Sequence, residues 1–148
     1  MPLLSTADQD KLRESFAEMT RSVRLLFFTQ TLDCETCPQT RQILDELPLL
    51  SDKVTVEDVN FVLEKDKAQH YGIDRVPAIA VVGQDETGQP TKDSRIRFLG
   101  TPAGYEFISL VQALMLAGGH DSQLTPANRA RIAAVNTPTT IQVFSTPT

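Results

Sequence analysis

The feature that most constrains this chain is a pair of cysteines, Cys34 and Cys37, separated by two residues. They follow an apolar segment at residues 23–29, precede a segment of helical periodicity, and are the only cysteines in the 148-residue sequence. This spacing brings two sulfur atoms within reach of a disulfide, and the strand–cysteine pair–helix context favours redox chemistry. Backbone N–H groups and the dipole at a helix N-terminus stabilise a thiolate. We therefore predict that Cys34 attacks a substrate disulfide and that Cys37 resolves the mixed disulfide.

The residues beside the pair modulate this chemistry. Asp33 and Glu35 place two carboxylates next to Cys34, and like charge raises the pKa of a thiol. Arg75 offsets these carboxylates if its loop lies alongside, and Pro38 suits the first turn of a helix, where its missing N–H is not needed. We expect a thiol less acidic than in strongly oxidising proteins, which favours a reductase or mid-range exchange role.

A structural role for the cysteines is the alternative interpretation. A closed zinc site needs four ligands, and within one chain only His70 and His120 complete the set. Two chains together supply four thiolates, which describes a zinc-bridged dimer without catalytic activity. The redox interpretation, which we favour, requires no metal.

The order of predicted elements indicates an α/β fold. The pattern predicts helices near residues 6–19, 40–47, 64–71 and 105–117, strands at 23–29, 54–61, 78–82 and 95–99, and a polar loop or hairpin tip at 83–94. Thr101 is expected to cap the last of these helices. This order is similar to that of a thioredoxin fold, a three-layer arrangement in which a four-stranded mixed sheet is flanked by helices on both faces.

Val76 and Pro77 directly precede the third predicted strand. X–Pro bonds adopt the cis form far more readily than other peptide bonds, and in a thioredoxin-like fold this turn lies opposite the cysteine pair. We predict a cis-proline whose neighbour Val76 pairs with an extended substrate, with Arg75 beside it. The alternative is a trans proline that only begins a strand.

The last 29 residues repeat the opening pattern of the chain. The pattern predicts a helix at Thr125–Val135 and a strand at Thr140–Ser145. Phe144 in this strand lies 116 positions after Phe28 in the first predicted strand, so the two strands correspond. We therefore predict two parts, a complete unit at 1–119 and the linker, first helix and first strand of an incomplete second unit at 120–148. An unpaired strand is prone to association, so we also predict a homodimer formed through Thr140–Ser145.

Charge and hydropathy exclude several classes of partner. The net charge is −5 with no basic cluster, which argues against nucleic acid. The apolar runs are far shorter than the roughly 20 residues that span a bilayer, and no secretory signal is visible, so we predict no membrane contact and a cytoplasmic location.

Three segments resemble known families: Cys34-Glu-Thr-Cys-Pro38, Arg75-Val-Pro-Ala-Ile79 and Phe98–Phe107. They resemble the tandem thioredoxin-fold protein disulfide oxidoreductases and the N-terminal domain of the flavoprotein component of alkyl hydroperoxide reductase. The first unit of the latter typically lacks the cysteine pair that is present here, which favours the former.

The resemblance implies a thioredoxin- or glutaredoxin-like thiol–disulfide oxidoreductase that acts on protein disulfides. The alternatives are an electron-relay module for a peroxidase or flavoprotein reductase, and a non-catalytic interaction domain. Because no flavin or dinucleotide motif is visible, we expect no cofactor on this chain.

Overall fold

The computed structural model describes residues 2–146, and its centre is a four-stranded sheet in the order β2-β1-β3-β4. The strands span Ser22–Thr29 (β1), Val54–Asn60 (β2), Ala78–Gln84 (β3) and Pro90–Leu99 (β4). Strand β1 pairs in parallel with β2 and antiparallel with β3, which in turn pairs antiparallel with β4. The predicted four-stranded mixed sheet is therefore confirmed.

Five helices accompany the sheet within the described residues. They span Thr6–Ala17 (α1), Cys37–Asp45 (α2), Lys65–His70 (α3), Tyr105–Ala117 (α4) and Pro126–Ala133 (α5). The hydroxyl of Ser5 caps α1 by accepting from the amide of Asp8 at 3.2 Å. No helix within residues 2–146 has the length and apolar character needed to cross a bilayer.

The core divides between the two faces of the sheet because alternate side chains of a strand point to opposite faces. Leu25 and Phe27 face one cluster, to which Phe16 of α1, Leu44 of α2 and Leu114 of α4 contribute. Leu26 and Phe28 face the other cluster, which includes Ala68 of α3. Helices thus cover both faces, as the three-layer prediction requires.

The strands of the β3–β4 hairpin are longer than predicted, because all of residues 83–94 were expected to form a loop or hairpin tip. The carboxylate of Asp85 accepts hydrogen bonds from the amides of Thr87 at 2.9 Å and Gln89 at 2.8 Å, which closes a short turn. The hydroxyl of Thr87 and these amides lower the pKa of Asp85. The first part of β4 is polar because it forms an exposed edge of the sheet, so hydropathy alone did not reveal it.

The end of α4 docks against the link between α1 and β1. The carbonyl of Gly118 accepts from the amides of Thr20 at 2.8 Å and Arg21 at 3.0 Å. A Cβ atom at Gly118 would lie 2.5 Å from the terminal methyl of Met19 and 2.9 Å from its Cγ, so a side chain there would displace the buried Met19. The imidazole of His120 lies 3.3 Å from Glu18.

The C-terminal segment, residues 121–146, contains the predicted helix but not the predicted strand. The hydroxyl of Thr125 caps α5 by accepting from the amide of Asn128 at 3.2 Å. The structure assigns no strand to Thr140–Ser145, whose Ile141, Val143 and Phe144 side chains are 85–90% exposed. The strand prediction was wrong because an apolar pattern forms a strand only where a sheet edge supplies hydrogen bonds. Pro147 and Thr148, the end of the predicted second part, lie outside the described residues.

A polar network ties β1, β2 and α3 together on one face of the sheet. Arg24 contacts Glu57 at 2.7 Å and Gln84 at 2.8 Å, and Lys67 also binds the carboxylate of Glu57. Burial raises the pKa of Glu57, but the hydrogen bonds from Lys67 and Arg24 outweigh burial, so its pKa is lowered. The ionised carboxylate therefore stabilises the folded chain.

We expect this contribution to be fully present above the pKa of the group in the unfolded chain, about 4.3, and to be lost as the pH falls through the lowered folded value. Glu57→Gln is expected to reduce the free energy of unfolding at pH 7 by about 1 kcal/mol. The difference from the wild type should shrink below about pH 4, as measured by urea unfolding between pH 3 and 7. The same change at exposed Glu86 is the control, and a pH-independent loss in Glu57→Gln would contradict the assignment.

Candidate functional site: the cysteine pair and the proline turn

The cysteine pair forms a disulfide just before helix α2. The Cα atoms of Cys34 and Cys37 are 5.4 Å apart and their sulfur atoms are bonded. The helix begins at Cys37 with Thr36 as its N-cap, so Cys34 lies in the preceding turn rather than on the helix itself. The amide of Cys37 donates to the carbonyl of Cys34 at 3.4 Å. The strand–turn–helix context that the sequence predicted is therefore present.

The two sulfur-bearing residues differ in exposure. Cys37 is only 4% exposed and belongs to the core cluster formed with α1 and α4, whereas Cys34 is half-buried at the edge of that cluster. An incoming disulfide therefore meets Cys34 first. The difference follows from α2, which turns Cys37 toward the sheet and leaves the preceding turn at the surface.

The predicted modulating residues surround the turn. Asp33 and Glu35 flank Cys34 and are exposed, and Asp33 adopts a positive φ of 56°. Pro38 occupies the first turn of α2, as predicted. Arg75 contacts its own neighbour Asp74 at 2.8 Å, and this hydrogen bond lowers the pKa of Asp74. The guanidinium of Arg75, which was expected to offset Asp33 and Glu35, is thus paired with Asp74 instead.

The Val76–Pro77 turn leads directly into β3, and its peptide bond is cis. The carbonyl of Pro77 accepts from the amide of Gly100 at 2.9 Å. Val76 is half-buried against the same core cluster that Cys34 contacts. Among residues 2–146, no main-chain group forms a hydrogen bond with the amide or the carbonyl of Val76.

A charged pair that the sequence did not predict lies beside the disulfide. Arg41 and Asp58 line the same shallow depression as both cysteines, and the guanidinium of Arg41 binds the carboxylate of Asp58 through two nitrogens. Arg41 also lies 6.0 Å from the ring centroid of Phe27. Its position four residues after Cys37 puts it on the same helix face, a signal that the sequence offered. Asp58 has no such signal, because only the pairing of β1 with β2 brings it here.

The described residues offer little for a metal. Across residues 2–146, no group of three or more His, Cys, Asp and Glu side chains is placed to hold an ion. Both cysteines are in the disulfide. The chemistry that the two cysteines offer is the making and breaking of this sulfur–sulfur bond.

Sequence comparisons place the chain among thioredoxin-like proteins, although no family model matches it. The F subunit of alkyl hydroperoxide reductase from Escherichia coli is 30% identical over 122 residues, which are 82% of this chain and 20% of that protein. The thioredoxin of Methanocaldococcus jannaschii is 34% identical over 76 residues, which are 50% of this chain and 88% of that protein. The chain spans only 12% and 20% of the two alkyl hydroperoxide reductase sequences compared.

Solved structures agree with these relatives. The NTD_N/C domain of alkyl hydroperoxide reductase AhpF from Enterococcus faecalis superimposes with a TM-score of 0.78 at 28% identity, covering 88% of this chain and 60% of that one. A protein disulfide oxidoreductase from Aeropyrum pernix superimposes with a TM-score of 0.71 at 25% identity, covering 88% of this chain and 54% of that one.

The geometry and the comparisons lead to the same conclusion. A Cys34–Cys37 disulfide in a thioredoxin-like fold, with thioredoxins among its relatives, supports thiol–disulfide oxidoreductase activity. Two probable thioredoxins from Methanothermobacter species and the Methanocaldococcus jannaschii thioredoxin are 30–34% identical to this chain, which covers 80–92% of their length. The chain therefore belongs to the thioredoxin family.

Proposed function

We propose that this chain exchanges disulfides with protein substrates, with Cys34 as the nucleophile and Cys37 as the resolving thiol. The observation that carries the proposal is the unequal exposure of the bonded pair, since Cys37 is 4% exposed and Cys34 is half-buried. A half-buried thiolate is accessible to a substrate sulfur, whereas a buried one reacts only within the protein.

The reaction consists of two exchanges that start from the reduced protein. The Cys34 thiolate attacks one sulfur of the substrate disulfide, the substrate S–S bond breaks, and the departing substrate thiolate takes up a proton. Cys37 then loses its proton to solvent and attacks the sulfur of Cys34, the mixed disulfide breaks, and the second substrate sulfur leaves as a thiolate that takes up a proton. Two electrons pass to the substrate, and the disulfide between Cys34 and Cys37 forms again.

We propose that the turn at Val76 and Pro77 holds the substrate chain. The unpaired main chain of Val76 lies two residues before Ala78, the first residue of β3, and is available for strand addition. Arg75 precedes it at the surface and adds a charged contact for the substrate. In this proposal a chain bound along Val76 places its disulfide at Cys34; both residues pack against the same core cluster, which supports the arrangement.

The charged surroundings favour reduction of substrates over their oxidation. Asp33 and Glu35 flank Cys34, and a nearby negative charge disfavours a thiolate. A reduced protein whose thiolate is less stabilised returns more readily to the disulfide and is a better electron donor. Pro38 keeps the first turn of α2 free of a competing amide.

The order of the two cysteines can be tested by trapping. Cys37→Ser is expected to accumulate a mixed disulfide with a protein substrate such as insulin, because no second thiol releases it, whereas Cys34→Ser forms none. Mass spectrometry under non-reducing conditions identifies the adduct and its linkage. Capture of substrate by Cys34→Ser through Cys37, with none by Cys37→Ser, would reverse the assignment.

A second candidate function is electron relay within a peroxidase and flavoprotein system. The observation that favours it is the similarity to the F subunit of alkyl hydroperoxide reductase across 82% of this chain. Turnover of insulin disulfides with dithiothreitol as the electron source supports the general oxidoreductase. Reduction by a dedicated flavoenzyme alone supports the relay.

We further propose that residues 120–148 begin a second thioredoxin-like unit after a first unit at 1–119. Helices α1 and α5 end at Ala17 and Ala133, which are 116 positions apart, as are Phe28 and Phe144. Association of two chains through the exposed apolar residues of 140–145 and a cytoplasmic location both stay predictions.

A further inference from the structure

A chain of hydroxyl groups joins the cysteine turn to a distant loop. Thr40 of α2 is completely buried, and its hydroxyl donates to the carbonyl of Thr36 at 2.9 Å. The same oxygen lies 2.8 Å from the hydroxyl of Thr101. Because a hydroxyl has one proton and that of Thr40 is directed at Thr36, Thr101 is the donor in this second bond. The sequence predicted Thr101 as the cap of α4, but Gly104 holds that position.

The first end of this chain lies between the two cysteines. Thr36 is the N-cap of α2, and its carbonyl also accepts the amide of Thr40 at 3.0 Å. The carbonyl of Thr36, which lies between the two cysteines, is therefore held by two hydrogen bonds from Thr40. Breaking either hydrogen bond would leave a buried hydroxyl without a partner, which costs free energy. The arrangement therefore favours one position of the turn between Cys34 and Cys37.

The other end of the chain lies at the proline turn. Thr101 directly follows Gly100, whose amide donates to the carbonyl of Pro77 at 2.9 Å. Gly100 has a φ of 110°, a conformation that strains any residue with a side chain. A continuous path of hydrogen bonds and one covalent step thus runs from Pro77 through Gly100, Thr101 and Thr40 to Thr36.

We propose that Thr101 and Thr40 are positioning residues that hold the proline turn at a set distance from the dithiol. The inference rests on the proposed function, in which Cys34 attacks and the main chain of Val76 holds the substrate. A protein substrate must contact both the proline turn and Cys34, so its reaction depends on their relative position. A small disulfide contacts Cys34 alone, so its reaction does not.

The test compares two substrates for the same set of variants. Thr101→Val replaces the hydroxyl by a methyl group of similar size, and Thr101→Ser keeps the hydroxyl as the matched control. We measure kcat/KM for insulin reduction and the rate constant for reaction of the reduced protein with 5,5′-dithiobis(2-nitrobenzoic acid). Thr101→Val is expected to lower the insulin value about fivefold, as loss of one hydrogen bond permits, and to leave the small-disulfide rate unchanged.

Thr40→Val provides a second, independent variant. It removes both the hydrogen bond to Thr101 and the one to Thr36, so we expect a loss toward insulin at least as large as that of Thr101→Val, and no further loss when Thr101→Val is added to it. Thr101→Ser should retain the wild-type kcat/KM for insulin reduction. Thermal unfolding of each variant separates this effect from a fall in the folded fraction, which would lower both rates in parallel.

Two results would overturn the inference: an insulin value unchanged in Thr101→Val, or parallel loss toward both substrates. Cys34→Ser in the same assays separates this failure from that of the proposed function. Activity that persists without Cys34 removes the proposed function. Activity that requires Cys34 but ignores Thr101 removes only the positioning role.

Discussion

Replacing Cys34 with serine is expected to lower the rate of dithiol–disulfide exchange about a thousandfold or more, because it removes the nucleophile that the reaction requires. A hydroxyl is far less acidic than a thiol and does not attack disulfide sulfur at neutral pH. Cys37 remains in the variant, but at 4% exposure it reaches an external disulfide poorly. The loss should therefore be nearly complete rather than partial.

The measurement is insulin reduction with dithiothreitol, compared with the uncatalysed rate at equal thiol concentration. Cys34→Ser also lacks the disulfide, so its folded fraction must be checked by circular dichroism and thermal unfolding. Cys37→Ser, which loses the same crosslink but keeps the proposed nucleophile, is the matched control and should retain its reaction with small disulfides. Exchange at the wild-type rate in folded Cys34→Ser would refute the role given to this residue.

Phe28→Ala is expected to reduce the free energy of unfolding by about 3–5 kcal/mol, the range measured for buried phenylalanines. Phe28 is fully buried in β1, next to Val59 of β2 and Ala78 of β3. Its ring meets that of Tyr71 edge-on at a centroid distance of 6.2 Å. Truncation leaves a cavity between the sheet and the segment that follows α3.

The sequence supplies its own control for this substitution. Phe144 lies 116 positions after Phe28 in the sequence, and its side chain is 90% exposed. Phe144→Ala should change the free energy of unfolding by less than about 0.5 kcal/mol in urea titrations of the isolated chain. A loss equal to that of Phe28→Ala would show that the C-terminal segment packs into a core, contrary to the structure.

The sequence predicted the elements near the cysteines better than the elements at the sheet edge. Strand β1 is central and buried on both sides, so its apolar run was conspicuous. The polar half of β4 lies at an edge, where hydropathy carries no strand signal, so the sequence predicted only the last five residues of this strand. The predicted N-cap of α4 was also wrong, because Gly104 occupies this position and Thr101 does not.

The partners of the site illustrate the same limit. Arg41 shares a helix face with Cys37, so helical spacing alone could have found it. Asp58 reaches the depression through the register of β1 and β2. Thr101 meets Thr40 across 61 positions of sequence. No local pattern encodes contacts of this kind.

By itself the sequence determined the chemistry and the order of elements of this protein. A spacing of two residues keeps Cys34 and Cys37 within bonding reach, and helical or strand periodicity depends only on near neighbours. Only the tertiary structure decided which side chains stand beside the disulfide and whether Thr140–Ser145 becomes a strand. Those outcomes depend on burial and on hydrogen-bond partners contributed by distant parts of the chain, and residues 140–145 find no such sheet partner within the part of the chain that the structure describes.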